Sequence, residues 1–211
     1  MSTPPAGFDA TFTGDFCDQV VDLLLRAYEL AGRAYDQVSP YGDANTVGTD
    51  LYRIAGNMLT ELAEERPEML DVVGIHPGFK HRAGAFALYC HRVANTRESI
   101  WTSFPNSEAK VVSQCASYYL PGMEPVLDPN SDVVLAHMGN ERDGLISAHL
   151  CVPVRSDSGV VEWGYVKEIY SKPAVAITPP PPTTTPPDEP PPVPVDVEPA
   201  VVRRRVRRSN T

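Results

Sequence analysis

The chain has no run of 18 apolar residues and no basic-then-apolar leader after Met1. A membrane-spanning helix and a secretory signal are therefore not expected, and the reading is a cytoplasmic protein. Cysteine is scarce: Cys17, Cys90, Cys115 and Cys151 stand far apart and form no C-x-x-C pair. That spacing argues against a structural zinc site and predicts four reduced, mostly buried thiols. The nearest approach to a metal pattern is Cys90–His91 with a distant histidine, and neither metal nor cofactor is expected. No G-x-S-x-G, Walker A loop, G-x-G-x-x-G or H-E-x-x-H occurs, which removes the commonest sequence signatures of hydrolases, nucleotide binders and zincins. Lysine is also rare, with 4 against 14 arginines. That bias reflects a GC-rich genome, such as an actinobacterium or its phage, rather than any physical demand.

Of the 22 prolines among 211 residues, 12 lie between Pro173 and Pro199. The expected organisation follows from this shift in composition. Residues 1–12 are read as a disordered or loosely attached N-terminus, 13–172 as one globular domain, 173–202 as an extended proline-rich linker and 203–211 as a basic tip. The charge divides along the same line. Residues 1–175 hold 13 Lys and Arg against 23 Asp and Glu, a net of −10, whereas residues 176–211 carry a net of +1. A domain so acidic repels nucleic acid and anionic membrane over its general surface, so any such partner must be met by a local basic feature.

The strongest periodic signal is Phe16, Val20, Leu23, Leu24, Ala27, Ala31, Tyr35 and Val38, which predicts an amphipathic helix over about 14–38 ended by Pro40. Val47, Leu51, Ile54, Ala55, Met58 and Leu62 predict a second, closed near Glu65 by Pro67, and the two should pair as an antiparallel hairpin. Glu61, Glu64 and Glu65 gather at its C-terminal end, where the helix dipole disfavours them, and a solvated acidic surface is expected in preference to compensation by a partner or by Arg66. Residues 67–75 are too short a run to separate helix from strand. Alternation predicts a strand over 84–93, and residues 107–120 are read as a helix in preference to a strand.

Three runs, 132–138, 145–154 and 160–170, are punctuated as an antiparallel meander. Matching apolar faces pairs Val154 with Gly159, Val152 with Val161 and Leu150 with Trp163, which buries Trp163 against Leu150. The fold class is therefore α+β: a helical hairpin packed with a small antiparallel sheet.

Two local features answer the need for positive charge. Residues 72–97 contain no Asp or Glu but hold Lys80, Arg82, Arg92 and Arg97 with His76, His81 and His91. Such a segment can bind an anion through bidentate guanidinium contacts, or simply pair with the domain's many carboxylates. The second feature is the tip, where Arg203, Arg204, Arg205, Arg207 and Arg208 follow Glu198 with no further acid. The preceding prolines favour polyproline geometry, in which 27 residues would reach roughly 80 Å. Such a tip suits nucleic acid, an acidic protein or an anionic membrane surface; as an incidental disordered end it would need no partner.

The remaining constellations are weaker. The predicted hairpin sets His149 opposite Val134 and His137 opposite Ile146, so the two point to opposite faces and share no metal. Glu108-Ala-Lys110 has the spacing of a nuclease E-x-K element, with Asp71 as a nominal third ligand, but it sits where a helix should begin and a first-turn Glu is favoured by the dipole alone.

The expected function is that of a non-catalytic binding or adapter protein, with a protein partner possible at the domain and an anionic partner at the tip. The alternative is an enzyme on a phosphate-bearing substrate or nucleic acid, with the basic segment holding phosphates and His91 as general base. A third reading is a phage or plasmid structural protein that self-associates through the helical hairpin.

Overall fold

The computed structural model describes residues 3–38, 44–74, 79–104, 132–155 and 161–173. The strand or helix choice at 107–120, Glu108, Lys110, Cys115, His76 and the whole of 174–211 lie outside them.

Among the described residues three helices precede the sheet: α1 (Phe8–Thr11), α2 (Gly14–Val38) and α3 (Ala44–Glu65). The two long ones follow the predicted periodicity. Phe16, Val20, Leu24, Leu51, Ala55 and Leu59 are all buried. Arg66, just past α3, lies 3.3 Å from Asp15 at the start of α2, as an antiparallel pair requires. Arg66 also binds Glu68. The i,i+4 ion pair on α2 joins Glu29 and Arg33.

The N-terminal arm departs from the expected loose attachment. Phe8 and Phe12 are fully buried and pack against Phe86 and Phe16, while Lys167 donates to the Phe12 carbonyl at 2.9 Å. Composition over twelve residues misjudged this arm because two aromatic rings suffice to anchor it: each buried phenylalanine contributes about 1.5–3 kcal/mol.

Among the described residues the sheet has six strands in sequential order: β1 (Asp71–Gly74), β2 (Lys80–Ala83), β3 (Phe86–Ala94), β4 (Asp132–Asn140), β5 (Gly144–Arg155) and β6 (Val161–Ser171). All neighbours are antiparallel except β3 and β4, which run parallel. The sheet is therefore mixed, not purely antiparallel, and the β3–β4 connection must cross over. Of the ambiguous run 67–75, residues 67–74 form a turn followed by β1, and residue 75 lies outside the described residues.

Both faces of the sheet are used. On one, α1, α2 and α3 cover Leu88, Leu135, Leu150 and Val152. On the other, Ile100 of the 3₁₀ turn Ile100–Thr102 and Phe104 pack over Val134, Ala136, Met138, Cys151 and Trp163. This second core explains why the predicted β5–β6 register fails. Trp163 is buried, but beside Cys151 on the face away from Leu150; its actual neighbour on β5 is Pro153, and Leu150 pairs with Lys167. When both faces are apolar, alternation no longer specifies register. Two bulges, at Ala148/His149 and Val152/Pro153, shift it further.

The β4–β5 register also differs from expectation, with His149 opposite Ala136 and His137 opposite Ala148. The turn is tighter than its polar sequence suggested. Gly144 takes a left-handed φ of 69°, and the Asn140 side chain accepts from the amides of Arg142 and Asp143, so the ladder continues to Asn140↔Gly144.

Candidate functional site

The four basic residues singled out in 72–97 do not converge. Alternation along β3 sends Arg92 to the helix side and His91 to the other. The guanidinium of Arg92 lies against α3, where a Cβ on Gly48 would come within 2.7 Å of Nη2. Arg97 is exposed and donates to the backbone carbonyl of Lys172 at the end of β6.

Lys80 and Arg82 stand together on β2, on the face away from the helices, because His81 between them is buried against α3 with Nε2 3.2 Å from Thr60 Oγ1. The ammonium of Lys80 lies 5.4 Å from the centre of the Tyr89 ring. A hydrogen bond to Tyr89 is the main influence raising the Lys80 pKa, with Asp132 adding to it.

Asp132 is the residue that the sequence did not nominate. The parallel crossover sets it opposite Ala87 of β3, whose other neighbour on the sheet is Arg82, paired in turn with Asp71. A row Asp71–Arg82–Ala87–Asp132 thus crosses four strands. Burial pushes the Asp132 carboxyl up to about 6, partly opposed by the Lys80 charge. A carboxyl titrating near neutrality beside a lysine is a known mark of functional sites. The only sequence signal was an acid opening an apolar strand.

The rings of Tyr89 and His91 share this face, parallel to within 5° with centroids 6.5 Å apart. The ring of Tyr52, on α3, also lies parallel to His91 within 5°, with centroids 6.4 Å apart.

On the helix side a second polar group is sealed in the core. Tyr28 Oη lies 2.8 Å from His137 Nδ1, and both residues are buried. Burial, with the charges of His91 and Arg92, pushes the His137 pKa down to about 3, so its imidazole is neutral in the fold. Burial likewise raises the Tyr28 phenol above its usual range. Cys17, Cys90 and Cys151 are free and buried, and burial pushes Cys90 up to about 12 and raises the other two, which keeps these thiols protonated and unreactive.

Among the described residues no group of three His, Cys, Asp or Glu side chains is placed to hold a metal. His137 and His149 face opposite sides of the sheet. The acidic end of α3 lines a groove of about 250 Å³ with Asp22, Arg26, Glu61 and Glu65 around Leu23, Met58 and Leu62. No described helix is long and apolar enough to cross a membrane.

These features define an α+β protein whose helical layer backs one face of a mixed six-stranded sheet and whose other face is apolar over one half and polar over the rest. Comparison with protein-family models, curated proteins and solved structures finds no match to this chain.

Proposed function

We propose that the chain is a binding protein that attaches to a polyanionic partner, nucleic acid in the first instance, through Arg203, Arg204, Arg205, Arg207 and Arg208. One observation carries this reading: two of the domain's four candidate anion-binding cations are committed to its own structure, Arg92 against α3 and Arg97 on a backbone carbonyl. The densest positive charge is then the tip, on a chain whose first 175 residues carry −10. The test is a titration of the full chain with duplex DNA across a salt series. Five phosphate contacts give log K against log salt a slope of about −4 to −5, and alanine at all five arginines abolishes duplex binding. Salt-independent binding, or unchanged binding by the five-alanine variant, overturns it; anionic vesicles serve as the membrane arm.

A second reading has an observation of its own. Asp132 near pKa 6, beside Lys80 and on the same face as His91, has the makings of an acid–base site for a phosphate ester. Phosphodiester turnover that falls at least a hundredfold in Asp132→Asn, with a pH profile breaking near 6, would support it; equal turnover by the variant would end it.

A further inference from the structure

The outer face of the sheet is divided. Over β4–β6 it is closed by Ile100 and Phe104, while over β2 and the first half of β3 it carries exposed Arg82 and half-buried Lys80, Tyr89 and His91. Lys80 holds its ammonium beside the Tyr89 ring, the geometry of a cation–π contact. Tyr89 lies parallel to His91 two residues along the same strand, with centroids 6.5 Å apart, so it is an ordered ring and not a loose surface aromatic. Rigid rings on a sheet with cations on the neighbouring strand combine the two elements used to hold unpaired bases: a stacking platform and a backbone counter-charge.

We propose that this half of the sheet, over which no described element packs, binds single-stranded nucleic acid, with a base stacked on Tyr89 and the adjoining phosphates met by Lys80 and Arg82. The proposal does not depend on the tip, and it requires no reaction at Asp132. Charge separates it from the tip's mode of binding. Lys80 and Arg82 are flanked by Asp71 and Asp132, so the patch is close to electroneutral and its affinity must come largely from stacking. A duplex, whose bases are already stacked on one another, offers Tyr89 nothing; the domain's negative charge opposes single strand and duplex alike, so stacking is what separates them. An acidic peptide would use the two cations but not the ring.

The test uses the full chain with the five tip arginines replaced by alanine, titrated with fluorescent oligo(dT), with a matched duplex and with polyglutamate. Single-strand binding persists in this background, exceeds duplex and polyglutamate binding, and has a salt slope no steeper than about −1.4, as two phosphate contacts to a single strand require. Tyr89→Leu weakens it about tenfold or more, while Tyr89→Phe keeps it. Arg82→Ala, at an exposed position, flattens the slope by about 0.7 and gives a readout even if Tyr89→Leu fails to fold. Equal affinity for duplex or polyglutamate, or unchanged binding in Tyr89→Leu, overturns the proposal. Failure of the tip reading is seen separately, as duplex binding that survives the five substitutions.

Discussion

Tyr28 and His137 lie 109 residues apart in sequence and meet in the core with 2.8 Å between phenol oxygen and imidazole nitrogen. The contact clamps α2 onto β4. A neutral, hydrogen-bonded pair is tolerated there, whereas removing either partner leaves the other's polar atom buried and unsatisfied, at a cost of about 1–3 kcal/mol. His137→Phe is therefore expected to lower stability by about that amount in urea unfolding at pH 7.

Stability should fall on acidification below about pH 6.5. Folded-state pKa values of about 3 for His137 and about 4 for His81 lie below the unfolded value, so in this window the unfolded chain binds more protons. Each such histidine costs up to ~1.4 kcal/mol per pH unit. Asp132, raised to about 6, acts in the opposite sense: it favours the fold below its unfolded pKa, and that contribution is lost as pH rises through about 6. Two histidines outweigh one carboxyl, so melting temperature should drop between pH 6.5 and 4, and His137→Phe should flatten the profile. A flat wild-type profile would contradict this assignment.

Gly139→Ala should destabilise by about 1–3 kcal/mol through overpacking. A methyl group there would lie 2.2 Å from the Gly144 carbonyl oxygen and 2.6 Å from the Tyr28 ring, and the first of these is backbone that cannot rotate away. Denaturant midpoints of the two proteins decide the point.

Trp163→Ala should cost about 3–5 kcal/mol by opening a cavity. The indole stacks on Phe104 with centroids 4.8 Å apart and donates from Nε1 to the Ser103 carbonyl at 3.1 Å. Trp163→Phe keeps most of the packing and loses that donor, so it should cost less. The damage should register at the segment around residue 103, detectable as faster amide exchange there, and not at α2.

Phe8→Ala or Phe12→Ala should likewise cost about 3–5 kcal/mol, although both lie in a stretch whose composition reads as loose. Chemical denaturation of either variant, with unchanged stability, would show that the arm is not part of the cooperative fold.

The sequence by itself determined the two long helices, the strand order of the final meander and the α+β class. Each of these rests on local periodicity: Phe16 to Val38 repeats at helical spacing, and the last three strands are separated by polar turns. It also showed the division of charge, because that is simple counting along the chain.

Only the tertiary structure decided what distant segments do to one another. Phe8 and Phe12 are anchored because Phe86 and Phe16 are there to receive them. Trp163 turns away from Leu150 because residues 100–104 build a second core on the outer face. Lys80 and Arg82 part company with Arg92 because α3 lies on one side of the sheet only, and Asp132 joins Lys80 through a parallel crossover whose two ends share no local pattern. Local spacing fixes which face a residue takes within its own element; which element covers that face, and whether anything does, is set by pairing between segments far apart in sequence, which no periodicity encodes.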